Sequence, residues 1–151
     1  MNKEPIGTHG FSCFTAARPD RVWAVLTGDA ETGSYLYGLV PSSSWQPGAA
    51  IHFRNAQIST AVSSLSGRVL HAQPPCRLSY VLQSGPDDPP VYLTWQVRSC
   101  SGGTAVHLRV DETEGADNDE QAEDTWLPVL AALQALLARD EPALPGGLGE
   151  S

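Results

Sequence analysis

Long apolar runs are missing from this chain, and with them a membrane-spanning helix, which needs roughly 18 or more consecutive apolar residues. The opening stretch Met1-Asn2-Lys3-Glu4-Pro5 lacks the basic-then-apolar order of a signal peptide, so the expected location is the cytoplasm. Cysteine is scarce: Cys13, Cys76 and Cys100 are an odd set without a C-x-x-C pair. That spacing argues against a disulfide framework and against a zinc knuckle. Free, mostly buried thiols are expected instead, because unpaired Cys packs as a small hydrophobe.

Bases are few. Nine Lys plus Arg face 17 Asp plus Glu, for a net charge of −8. The excess sits in one place, since Asp111, Glu112, Glu114, Asp117, Asp119, Glu120, Glu123 and Asp124 have no base among them and the remaining nine acids balance the nine bases. A neutral body with one acidic stretch suits phosphate backbones badly, because binding them takes clustered Lys and Arg. Nucleic acid is therefore not an expected partner. A G-x-S-x-G elbow, a P-loop and a G-x-G-x-x-G turn are all lacking, which removes common hydrolase and nucleotide-binding signatures. His9, His52, His71 and His107 are scattered without an H-x-x-x-H pair, so neither a metal site nor a resident cofactor is expected.

What remains is the composition of a globular domain: 151 residues, 41% hydrophobic and 17% charged. A chain of that length can bury roughly 68–70% of its unfolded surface in one core. The expected domain spans 9–139, with flexible tails over 1–8 and 140–151; Gly and Pro punctuate the last of these. His9 to Ala17 alternates as a strand. Pro19 and Asp20 open a helix that carries Val22, Trp23, Val25 and Leu26 and stops at Gly28. A second short helix is expected over Asp29 to Tyr37, and Pro41 to Pro47 reads as loop.

Strand patterns follow. Ile51 and Phe53 alternate with His52 and Arg54, and Thr60 to Ala72 is a longer run in which Gly67 suggests a bulge or bend. Pro74-Pro75 makes a turn. Leu78, Tyr80 and Leu82 then share one face, as do Val91, Leu93, Trp95 and Val97, and, after the turn Ser101-Gly102-Gly103, Thr104, Val106, Leu108 and Val110. Such alternation marks antiparallel sheet with one wet side. Trp126, Leu130, Leu133 and Leu137 finally form a helical apolar stripe, with Val129 and Leu136 beside them. Pro128 leaves two helix starts open: near Thr125, with proline in the first turn, or near Asp119, with proline inside the helix. The class is α+β: an antiparallel sheet of about six or seven strands, two short helices after the first strand and a long C-terminal helix.

Four segments in this order carry a resemblance. They are Ala17-Arg18-Pro19-Asp20-Arg21-Val22-Trp23-Ala24-Val25-Leu26-Thr27, then Ser44-Trp45-Gln46-Pro47-Gly48. Gly67-Arg68-Val69 with Pro74-Pro75-Cys76-Arg77-Leu78-Ser79-Tyr80 comes next, and the Trp126 helix last. Together they resemble the Bet v 1-like, START-like (SRPBCC) helix-grip superfamily, and more closely bacterial proteins similar to the C-terminal domain of the activator of Hsp90 ATPase. The chain departs from that pattern at Tyr35 or Tyr37, where the family often has Trp, at Thr125, usually Gly, and at Pro128. The resemblance implies a curved sheet gripping the last helix around a hydrophobic cavity that binds an apolar or amphipathic small molecule. It also implies two alternatives: a cyclase- or dehydratase-type enzyme using the same cavity, and a protein that interacts with the Hsp90 chaperone.

On that fold the expected ligand-contacting residues are Tyr80 and Trp95, with Leu78, Leu82, Leu93 and Val97 beside them and Trp126, Leu130 and Leu133 opposite. Aromatic rings with a polar tip line pockets as well as cores. His71 is the one acid–base candidate: if Val69 faces inward, so does His71. Monomer and homodimer are both left open.

Overall fold

The computed structural model describes residues 7–28, 35, 39–55, 61–85, 89–112 and 119–139. Among these residues two helices and seven strands run in the order β1 (Gly7–Thr15), α1 (Pro19–Leu26), β2 (Leu39–Ser42), β3 (Ala50–Asn55), β4 (Ala61–Gln73), β5 (Arg77–Gln83), β6 (Val91–Cys100), β7 (Gly103–Glu112) and α2 (Asp119–Arg139). The strands form one curved sheet in the order β1-β7-β6-β5-β4-β3-β2. Every neighbouring pair is antiparallel.

The central strands behave as their alternation predicts. Leu93, Trp95 and Val97 of β6 and Thr104, Val106, Leu108 and Val110 of β7 are all buried, while Gln96, Arg98 and Arg109 between them are exposed. Stacked at the same register, these inward residues give the sheet a continuous concave apolar face. Against it lies α2, whose Trp126, Val129, Leu130, Leu133, Leu136 and Leu137 are buried at helical spacing. Removing one such fully buried leucine from water contributes about 1.5–3 kcal/mol, which is why the stripe, rather than local propensity, fixes the helix in place.

The helix starts at Asp119 and runs through Pro128. Proline removes the N–H that would have bonded the Asp124 carbonyl. Both residues are exposed, so water can satisfy that carbonyl. On the other side, Gln134 Nε2 donates to the Phe14 carbonyl of β1 at 2.8 Å, tying the helix to an edge of the sheet.

The first helix has proline in its opening turn and Asp20 near its positive end, as expected. It cannot continue past Gly28 for a geometrical reason. Gly28 has φ 76°, and a Cβ there would collide with the Pro41 carbonyl oxygen.

Three expectations are corrected. Pro41 to Pro47 is not all loop: Pro41 and Ser42 belong to β2 and pair with Phe53 and His52. As the outermost strand, β2 can accommodate a proline that a central strand could not. The cysteines are free, yet Cys76 and Cys100 are exposed and only Cys13 is partly buried. Cys76 sits in the turn after Pro75 and Cys100 at the β6 end of a hairpin, where the chain turns away from the core. The third correction concerns His71, below. The expected helix over Asp29 to Tyr37 lies outside the described residues apart from Tyr35, as do Glu114 and Asp117 of the acidic stretch; Glu123 and Asp124 are exposed. Among the described residues no helix is long and apolar enough to cross a membrane.

Candidate functional site

Strand pairing sets Leu78 opposite Trp95 and Tyr80 opposite Leu93. Tyr80 and Trp95 are thus diagonal neighbours on the concave face, within reach of each other's polar tips. Trp95 Nε1 donates to Tyr80 Oη at 3.1 Å. Tyr35 joins them: its Oη lies 3.3 Å from Tyr80 Oη and donates to the Leu26 carbonyl at 2.6 Å. Its ring stands edge-on to Trp95, with centroids 5.7 Å apart and planes at 87°. That is a favoured geometry for aromatic quadrupoles.

Counting protons orders these bonds. Tyr35 has one hydroxyl hydrogen, and the short contact commits it to Leu26. Tyr80 must then donate to Tyr35, leaving its own oxygen to accept from Trp95. The chain runs Trp95 to Tyr80 to Tyr35 to the Leu26 carbonyl, and every buried donor in it is used. Leu26 closes α1, so that carbonyl is among those a helix end leaves without an in-helix partner.

Burial makes both phenols poor acids. The Tyr80 hydroxyl is raised above its ordinary range by desolvation, although its hydrogen bonds with Tyr35 and Trp95 oppose the rise. Tyr35 is raised well above it, first by desolvation and then by the charge and hydrogen bond of Tyr80. Near neutral pH both stay protonated and act as hydrogen-bonding tips rather than bases.

Trp45 closes this cluster on the solvent side. The half-buried indole tilts against Tyr80, with centroids 6.3 Å apart. Its backbone adopts φ 60°, an unusual conformation for a bulky residue that costs on the order of 1–3 kcal/mol. The surrounding turn holds it there: Trp45 N–H donates to Ser43 Oγ at 3.0 Å, Gly48 N–H to the Val69 carbonyl at 2.8 Å, and Val69 N–H to the Ala49 carbonyl at 2.9 Å. Val69 pairs with Tyr80, so the turn is fastened beside the cluster it covers.

The nine expected ligand-contacting residues, Leu78, Tyr80, Leu82, Leu93, Trp95, Val97, Trp126, Leu130 and Leu133, all fall in one apolar cluster. His71 does not join them. Val69 pairs with Tyr80 and His71 with Ser79, so the register slips by one residue at Leu70 and the alternation reverses. Val69 is fully buried and His71 exposed, which takes the imidazole off the concave face. Sequence reasoning passed over Tyr35 and Trp45 as contributors. Trp45 carried a signal in its W-x-P-G turn; Tyr35 carried only its place in the family pattern. Among the described residues no group of three or more His, Cys, Asp or Glu could hold a metal ion.

A curved antiparallel sheet closed on a C-terminal helix, with polar-tipped aromatics gathered between them, defines a helix-grip domain of the Bet v 1-like class. More particularly, residues 16–138 match the model of the Activator of Hsp90 ATPase homolog 1-like protein family, and the chain belongs to that family. Solved structures agree on the fold. A protein of Mesorhizobium loti is 18% identical with a TM-score of 0.69, covering 90% of this chain and 100% of that one. One from Rhodobacter sphaeroides is 23% identical with a TM-score of 0.64 over 90% and 95%. One from Chromobacterium violaceum is 20% identical with a TM-score of 0.64 over 86% and 96%. No curated protein matches the chain.

Proposed function

We propose that this chain is an intracellular binding protein for an apolar or amphipathic small molecule held between the concave sheet face and α2. The observation that carries this reading is the Trp95–Tyr80–Tyr35 chain, a directional row of polar tips set in an otherwise apolar wall and covered by the half-buried Trp45. A few placed polar groups in an apolar lining are what orients a bound ligand. Tyr80 and Trp95 set the polarity; Leu78, Leu82, Leu93, Val97, Trp126, Leu130 and Leu133 supply the apolar surface. With its donors committed to one another, the row offers a ligand the remaining acceptor lone pairs of the two phenol oxygens, so a ligand hydroxyl or N–H would find an acceptor among the tips and its hydrocarbon part the leucines.

Binding is favoured over proton-transfer chemistry at the Trp95–Tyr80–Tyr35 row because its titratable side chains are two phenols held protonated by burial, and His71 faces away. Native mass spectrometry of the protein as expressed tests for a retained ligand. Titration with fatty acids, flavonoids and a hydrophobic dye, followed by tryptophan emission, tests for binding. Saturable quenching or a spectral shift supports the reading. Neither a retained ligand nor any saturable response would leave a solid core, and preference would pass to a protein-interaction role.

A further inference from the structure

The convex side of the sheet carries a second feature. Register sets Ser12, His107 and Gln96 in one cross-strand row, and Phe14, Ala105 and Arg98 in the next. Ala105 is the smallest side chain of these, so its neighbours rise around it. They leave a hollow of about 360 Å³ lined by Ser12, Gln96, Arg98, Ala105, Val106 and His107.

The hollow is built rather than incidental. Ser12 Oγ and His107 Nδ1 are hydrogen-bonded at 2.8 Å. The imidazole lies over the bare Cα of Gly10, where a Cβ would come within 3.1 Å of its Cε1 and 3.3 Å of its Nε2. Glycine on the edge strand therefore lets the ring lie flat and reach Ser12. When Nδ1–H donates to Oγ, the Ser12 hydroxyl hydrogen is free to turn outward.

Charge decides what would fit. Arg98 is exposed beside the hollow and no ion pair engages it among the described residues, whereas Arg109 further along the face is taken by Asp111 at 3.2 Å. Arg77 pairs in register with Gln96 and is exposed as well. No carboxylate lines the hollow. In a protein of net charge −8 this is a local basic site, with a planar guanidinium fork, an amide and a hydroxyl around an apolar floor. Guanidinium forks match carboxylate and phosphate oxygens two at a time.

We propose that this hollow binds a small organic oxyanion, a carboxylate or phosphate monoester. Its charged head meets Arg98, Gln96 and Ser12 while its apolar part rests on Ala105.

Amide-resolved NMR titration with benzoate, phenyl phosphate and neutral benzamide tests it. The expected result is saturable shifts at Ser12, Gln96, Arg98, Ala105 and His107 with both anions, and binding about tenfold or more weaker for benzamide. Arg98→Gln should weaken the anions by about the same factor. Ala105→Leu should fill the hollow and abolish binding. Both positions lie on the solvent face, so melting temperatures should not move, and a spectrum with native dispersion verifies the fold. Four results would overturn the proposal: no saturable shifts, equal binding of benzamide, unchanged affinity in Arg98→Gln, or inorganic phosphate competing as well as phenyl phosphate. The last would deny any role to the Ala105 floor. Tryptophan emission reports the concave side and these amides the convex side, so this proposal and the interior ligand stand or fall separately.

Discussion

Replacing Tyr80 by phenylalanine removes one oxygen from the middle of the buried row and keeps the ring. Trp95 Nε1 loses its acceptor at 3.1 Å and Tyr35 Oη loses the donor at 3.3 Å. The tyrosine oxygen still donates to Leu26, so the larger cost is the orphaned indole N–H, at about 1–3 kcal/mol. Adding the net worth of the lost bonds gives about 2–3 kcal/mol for Tyr80→Phe. For a domain of this size that is a fall of roughly 6–12 °C in Tm. Tyr35→Phe should cost a similar amount, because it strands the Tyr80 hydroxyl hydrogen and the Leu26 carbonyl. The double variant is the discriminating case. Without Tyr80 Oη there is no hydroxyl left for the Tyr35 change to strand, so the two losses should sum to less than additive, by about 1 kcal/mol. Urea denaturation with an unchanged slope would measure all three. Strict additivity, or a Tyr80→Phe loss within about 0.5 kcal/mol of zero, would refute the ordered, dry chain and mean that water reaches the polar tips.

Other expectations follow from single features. Gly28→Ala should destabilise by more than about 1 kcal/mol, because φ 76° disfavours any Cβ and this one meets the Pro41 carbonyl; thermal melts would show it. His71→Ala should change stability by less than about 0.5 kcal/mol and leave any interior ligand affinity unaltered, since the ring is exposed; a loss of binding would contradict the register slip at Leu70. Pulsed alkylation without reductant near pH 8 should label Cys76 and Cys100 first. Cys13 should lag, because burial pushes its thiol up to about 11 and leaves little thiolate. Equal rates at all three sites by peptide mass mapping would contradict that ranking.

Much of the fold was legible where a period held for long enough. The inward sets of β5, β6 and β7 and the α2 stripe each repeat over many residues, and the structure buries them as a group. The breaks in period were harder to read. A single extra residue at Leu70 reverses the facing of His71, and nothing in the composition of β4 announces it, because Val, Leu and Ala flank the histidine on both sides. Pro41 read as a loop because a four-residue edge strand is too short to show alternation. The three-member hydrogen-bonded row was not visible as a unit, since Tyr35, Tyr80 and Trp95 come from separate parts of the chain. Only the folded register brings them together. Exposure of Cys76 and Cys100 reflects their place at turns, which residue type alone does not encode.

A sheet whose order ends in β1 on one side and β2 on the other has two borders, and a bare border is a template on which another chain can build. Here each border is blunted. Proline at position 41 offers an incoming strand no N–H on β2. The Phe14 carbonyl of β1 is already taken by Gln134 from the last helix. The same helix that fills the concave face therefore also guards the rim, so that losing its grip would free an adhesive edge together with an apolar interior.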